Sequence, residues 1–364
     1  MNSSSIKERK YEKYKNNGLT GLENLGNTCY LNSVIQALSH TYELHEFLED
    51  TSWEKSANNN FNTLLLVEYD KLLRLMWSQN CVIAPRGFVS FVQKLAKKNN
   101  NMKFVGWNQN DAGEFLIFIL DGFHKAISRS VDISIEGNVS NDNDKIALKC
   151  LTRFKELVQT DYSEMIDIFY GMEATIIYDT GGSGRRIKKG PALSIASEPF
   201  FVLSVPLPPN AETLYRCLDV HTEPELLDGD NQWFNEDLGK GGAKQDVVKQ
   251  LMYWTLPRVL IIDIKRYNYT GSKNQRHVDF PLDALDMRKY VIGYDKEKYI
   301  YDCYAVLNHS GSMRGGHYTA YVRNAADRWY HFNDNNVKEI RTSTVVSPKA
   351  YCLFYRIRSK NKSN

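Results

Sequence analysis

Apolar residues change their spacing part-way along this chain, and that change restricts the fold more than any other feature. Between Thr28 and His40, Leu31, Val34, Ile35 and Leu38 recur at the spacing of one helix face, with Asn27 and Thr28 placed to cap the start. Phe61 to Trp77 and Asp111 to Ile127 repeat the pattern, so the chain to about residue 130 is expected to form a helical lobe. Short runs rich in β-branched and aromatic residues follow: Thr175 to Tyr178, Phe200 to Val205, Val259 to Ile264, Tyr301 to Leu307, Tyr318 to Arg323, Trp329 to Phe332 and Tyr351 to Tyr355. Helices first and strands afterwards specify an α+β fold in which a helical lobe faces a mainly antiparallel sheet, with a cleft between them. Polar Gly137 to Lys145 is expected to be an exposed loop or an insertion in the helical lobe, and Thr180 to Gly190 and Asp228 to Gly242 to be turns or mobile tips.

At 364 residues the chain suits one large composite domain or two small ones, and 42% hydrophobic residues are ample for a core. A net charge of +3, from 46 basic and 43 acidic residues, provides no overall field for nucleic acid or an anionic membrane. The longest apolar run, Phe115 to Leu120, is far too short to span a bilayer, and Met1 to Ile6 lacks the apolar stretch of a signal peptide. Six scattered cysteines are unlike a secreted disulfide framework. The expectation is an intracellular protein, cytoplasmic and/or nuclear, whose partners include neither nucleic acid nor membrane. Five basic and two acidic residues between Lys7 and Lys15 read as part of a solvated tail over residues 1–17 rather than a localisation signal.

Cys29 falls at the start of the first helix, where unpaired N–H groups and the helix dipole favour a thiolate. A lone cysteine there is more often a buried structural residue. His317 follows a Gly pair at the head of a β-rich run, a position that holds an imidazole rigidly while an extended substrate approaches the backbone. Together they make a Cys/His nucleophile–base pair competitive. Asn333, a short strand and turn further on, is placed to orient the imidazole, and Asp334 adjoins it; either is also ordinary turn chemistry.

The segments around these residues are long and specific. GLTGLENLGNTCYLNSVIQAL resembles the cysteine box of the ubiquitin-specific proteases, and GGHYTAYV with WYHFNDNNV resembles their histidine box. PRGFVSFVQKL with FVGWNQNDAGEFLIFILDGFH, EPFFVLSVPLP, LPRVLIIDIKRY, HVDFPLDAL and SPKAYCLFYRIR are similar to intervening and later segments of that family, in its order, from Gly18 to about Arg356.

The resemblance implies a papain-like fold with helical thumb, β-rich palm and antiparallel β fingers. One catalytic domain would span residues 18–356, with the thumb at about 18–160, the fingers at about 165–260 and the palm mainly at 261–356, followed by a tail over 357–364. It implies hydrolysis of the isopeptide or peptide bond after ubiquitin's terminal glycine. Cys29 would be the nucleophile, His317 its base and Asn333 the orienting residue, and Asn24 would donate to the oxyanion. The adjacent carboxylate of Asp334 could take over part of that role, supplying charge either to the imidazole or through a water to the oxyanion. Gln109, Asp111 and Glu114 would contact ubiquitin's tail, whose arginines suit carboxylates, and His309 and Tyr318 would line the channel.

The chain departs from the family where many members hold their fingertips with two CxxC pairs on zinc. No CxxC occurs, and the corresponding stretches read YDTGGSGRR and NQWFNEDLGK, so neither metal nor other cofactor is expected. The expected partners are ubiquitin and ubiquitinated proteins, met by a monomer. Alternatives are a protease for another ubiquitin-like modifier, a ubiquitin-binding module without activity, and a general papain-type peptidase, which uses the same residue types in the same order.

Overall fold

The structure is a computed structural model that describes residues 11–58, 60–180, 189–236, 241–267, 272–312 and 315–358. The three periodic segments are helices, Cys29–Ser39, Phe61–Ser78 and Ala112–Ile127. Asn60 and Asp111 start the second and third by accepting from the backbone N–H of Thr63 and Glu114. The Cys29 helix begins differently. Thr28 occupies the N-cap position without capping, and its hydroxyl instead accepts from Leu25 N–H at 3.0 Å.

Asp142–Val158 is a helix capped by Asn141, so the expected loop ends at residue 141. Polar residues there had hidden a cap and a first turn, a common ambiguity because Asn and Asp serve both loops and helix starts. Arg86–Lys98 and Tyr42–Glu49 complete the main thumb helices.

The palm is an eight-stranded sheet. Its order begins at Asn336–Ile340 and passes through Trp329–Asn333, Gly315–Arg323, Ile300–Ser312, Ala350–Ile357 and Val259–Lys265 to Val202–Pro206, with Leu285–Asp286 paired to Ile300–Ser312. Neighbours are antiparallel except that Val202–Pro206 runs parallel to Val259–Lys265. Val202–Pro206 therefore corrects the expected finger span of 165–260, because it crosses back into the palm. The fingers are the sheet of Ala192–Phe200, Gly171–Asp179, Val247–Thr255 and Glu225–Leu227. At the expected tip 228–242, Trp233–Asn235 pairs antiparallel with Ala243–Gln245; residues 237–240 of this tip and 181–188 of the other lie outside the described residues.

The Cys29 helix lies entirely buried between thumb and palm, packed on the strands that carry His317 and Asn333. One apolar cluster crosses this boundary, joining Val34, Ile35 and Leu38 to Phe115, Leu116, Tyr318, Ala320 and Phe332. Burying such side chains is worth roughly 1.5–3 kcal/mol each, so the two lobes form one cooperative unit.

The proposed free tail also needs correction. Residues 1–10 are outside the described residues, but Tyr14 is buried and stacks on Tyr42 with ring centroids 4.3 Å apart, while Tyr11 lies 4.8 Å from the same ring. Arg356 closes this cluster, paired with Glu43 at 2.8 Å and facing the rings of Tyr11, Tyr42 and Tyr304. A buried guanidinium stays charged, and the Glu43 carboxylate offsets part of the cost of taking that charge out of water. At the other end Ile357 closes the last palm strand and Arg358 bonds Asp302 at 2.6 Å, so the sheet's contacts extend two residues into the expected C-terminal tail.

Candidate active site

Cys29 opens its helix with only 3% of its surface exposed. Backbone N–H groups of Cys29 and Tyr30 at the uncapped helix start, and of Tyr318 on the facing palm strand, favour the thiolate. Burial acts in the opposite direction and more strongly, and the Asp334 carboxylate adds to it, so the thiol is held above its ordinary pKa. This corrects the expectation from helix position alone, which counts the dipole but not the desolvation.

Across the cleft, His317 Nε2 lies 2.6 Å from Asn333 Oδ1. An amide oxygen only accepts, so Nε2 carries the proton and Nδ1 is left with the lone pair of a base. No hydrogen bond joins His317 to Cys29 among the described residues, a looseness common at resting acid–base sites.

Asp334 sits just past Asn333, in the left-handed region at φ +50°. This conformation turns its carboxylate toward the Cys29 side: Oδ2 accepts from Asn24 Nδ2 at 3.0 Å and Oδ1 from Asn32 Nδ2 at 2.8 Å. Its backbone carbonyl accepts from Leu22 N–H at 3.0 Å. Gly21 makes the approach possible, since a Cβ there would stand 2.5 Å from Asn335 O. Asn24 Oδ1 accepts from Thr28 N–H at 3.1 Å and Gly26 N–H at 3.0 Å, which fixes its amide against the turn that precedes Cys29. One Nδ2 proton of Asn24 is used by Asp334, and the second has no partner among the described residues.

The tail-side residues divide. Gln109 spans the cleft, accepting from Gly316 N–H at 2.7 Å and donating to Gly316 O at 3.0 Å. Asp111 accepts from Tyr318 and Tyr351 hydroxyls at 3.1 and 2.6 Å while capping its helix. His309 is buried, its ring 4.4 Å from that of Tyr318. Burial and the Lys273 ammonium push the His309 ring down to about 4, so it is neutral. Glu114 instead pairs with Lys103 at 2.7 Å on the exposed surface. Asn32, Tyr351, Tyr267 and Lys273 are parts of this constellation that sequence reasoning did not single out. Asn32 had a usable signal, lying three residues beyond Cys29 on the helix.

Among the described residues no group of three or more His, Cys, Asp or Glu side chains has the arrangement of a metal site, and all six cysteines are free. No helix among them is long and apolar enough to cross a membrane.

The family model described as ubiquitin carboxyl-terminal hydrolase matches residues 20–355. Ubiquitin carboxyl-terminal hydrolase 2 of Homo sapiens is 32% identical over 94% of this chain and 56% of its own length. The Gallus gallus protein of the same name is 34% identical, with 94% of each chain covered. The chain thus spans about half the length of the mammalian relatives it matches. A structure of the SAGA Ubp8/Sgf11/Sus1/Sgf73 DUB module bound to ubiquitin aldehyde matches with a TM-score of 0.71 and 25% identity, covering 96% of this chain and 71% of that one. With the family's match running through both lobes of the cleft, this chain belongs to the ubiquitin carboxyl-terminal hydrolase family.

Proposed function

We propose that the chain is a deubiquitinase that hydrolyses the bond after ubiquitin's C-terminal glycine by a thiol mechanism. The observation that carries this reading is the His317–Asn333 pair at 2.6 Å, set on the strands against which the Cys29 helix packs. His317 Nδ1 takes the proton of the Cys29 thiol as sulfur attacks the glycine carbonyl. The developing oxyanion meets the free backbone N–H groups of the helix start and the second Nδ2 proton of Asn24. Collapse of the tetrahedral intermediate breaks the C–N bond, and His317 returns its proton to the leaving amine. Water then attacks the thioester with His317 again as base, releasing the ubiquitin carboxylate and restoring the thiol.

Gln109, Asp111, His309 and Tyr318 form the walls of the tail channel in this reading, and Glu114 stands at its outer edge. The enzyme works as a monomer without metal or other cofactor, in the cytoplasm and/or nucleus. Its macromolecular partners are ubiquitin and ubiquitinated proteins.

The test is reaction of the chain with ubiquitin carrying a C-terminal electrophile, beside other ubiquitin-like modifiers carrying the same group. One covalent adduct is expected, on Cys29, with ubiquitin preferred and no adduct in Cys29→Ala. Preferred labelling by another modifier would replace ubiquitin as the substrate, and labelling of Cys29→Ala would remove Cys29 as nucleophile.

A further inference from the structure

His309 has a second neighbour that the proposed chemistry does not use. Lys273 Nζ lies 3.0 Å from His309 Nδ1 and 2.6 Å from the His309 carbonyl oxygen. The Tyr267 hydroxyl lies 2.9 Å from the same Nδ1. These contacts are built into the fold: Tyr267 and Lys273 form an isolated antiparallel bridge. The buried Arg266 guanidinium fixes the adjoining backbone through the carbonyls of Asn274 and Arg276, at 3.1 and 2.7 Å.

The chemistry of these partners decides the state of the ring. An ammonium has donors and no acceptor, so Nδ1 must offer its lone pair to Lys273, and the tyrosine hydroxyl shares that lone pair. The single proton of the neutral ring is then on Nε2. A Cβ on Gly316 would stand 2.3 Å from Nε2, so the ring edge lies directly against this glycine, whose own N–H and carbonyl are taken by Gln109. Nε2 has no hydrogen-bond partner among the described residues. Its N–H is an unspent donor beside the glycine pair that precedes His317.

We infer that Lys273 is a positioning residue which, through His309, holds an Nε2–H donor for a peptide carbonyl of an extended, glycine-ended substrate tail. This rests on the deubiquitinase reading for its substrate and on the geometry alone for the tautomer. Half-burial, with Arg266 and Lys349 nearby, pushes the Lys273 amine down to about 8, so the ammonium that donates to His309 is the form present below that pH. A donor that meets the tail equally in ground and transition states changes KM rather than kcat.

The experiment combines histidine ¹⁵N NMR of the full chain, with the His309 signals identified by their loss in His309→Gln, and steady-state hydrolysis of a ubiquitin–fluorophore conjugate. Wild type should show the Nε2–H tautomer. Lys273→Met should admit the Nδ1–H form and raise KM roughly five- to tenfold at nearly constant kcat, as expected for one lost neutral hydrogen bond. Lys273→Arg, which keeps a donor, should restore both. An Nδ1–H ring in wild type overturns the inference with no variant needed, as does Lys273→Met with unchanged tautomer and KM. Should Lys273→Met not fold, Tyr267→Phe must leave the Nε2–H tautomer in place, because Lys273 alone suffices to impose it; loss of that tautomer would equally overturn the inference. A wild-type chain that hydrolyses no ubiquitin conjugate but shows the Nε2–H ring would remove the deubiquitinase reading and, with it, the carbonyl assigned to the donor, leaving the Lys273–His309 positioning intact.

Discussion

Asn24 and Asp334, 310 positions apart in the chain, are joined by a hydrogen bond of 3.0 Å from Nδ2 to Oδ2. The carboxylate that adjoins the imidazole's partner thus serves the opposite wall of the cleft. It orients the amide proposed to face the oxyanion, and Asn32 holds it from a second side.

Two opposed effects should follow from Asp334→Asn. Loss of the charge-assisted bond frees Asn24 to turn, and kcat on a ubiquitin–fluorophore conjugate should fall at least roughly tenfold with little change in KM. The same charge holds the Cys29 thiol up, so its removal should lower the pH midpoint for alkylation by iodoacetamide. Slower turnover with faster alkylation at fixed pH is the expected signature; unchanged kcat would remove Asp334 from the oxyanion side.

Asn333 acts through an uncharged acceptor. Asn333→Ala should therefore slow hydrolysis less than His317→Ala does, because a free imidazole still visits the productive orientation. Since Asn333 and Asp334 serve different partners, the double Ala variant should be slower than either single one. Full kcat in Asn333→Ala would assign the orientation of His317 to another group.

Asp263, on the palm strand Val259–Lys265, has its carboxyl pushed up to about 6, chiefly by burial and secondarily by Asp111; one oxygen lacks a partner. Its folded-state pKa is above the unfolded value, so its contribution to stability is present below about pH 4 and is lost as pH rises through about 6. Asp263→Asn, an uncharged isostere, should raise the melting temperature relative to wild type at pH 8, by an amount that shrinks toward pH 4. A pH-independent difference in thermal unfolding would contradict this assignment.

Folding and hydrolysis should need no metal. A chelator is expected to leave both the melting temperature and the rate unchanged. Elemental analysis finding about one tightly held zinc per chain, with unfolding on its removal, would identify ligands dispersed in the sequence.

The sequence by itself determined the local order of this protein. A 3.6-residue apolar period marked the helices at Cys29, Phe61 and Ala112, and β-rich runs marked the palm strands that carry His317 and Asn333, because short-range backbone and side-chain sterics set these patterns. Box-like segments around Cys29 and His317 identified the family. Tertiary structure decided which long-range partners the polar groups take. Asp334 could have faced His317 or Asn24, and only the left-handed turn at φ +50° packed against Gly21 settles the choice. The Cys29 thiol could have been lowered by its helix start, but burial between the lobes outweighs the backbone N–H groups that favour the thiolate. Tyr14 looked like part of a charged tail until Tyr42 and Trp77 supplied a surface to bury it. In each case the outcome depends on desolvation and packing summed over residues far apart in the chain, and no local pattern carries that sum.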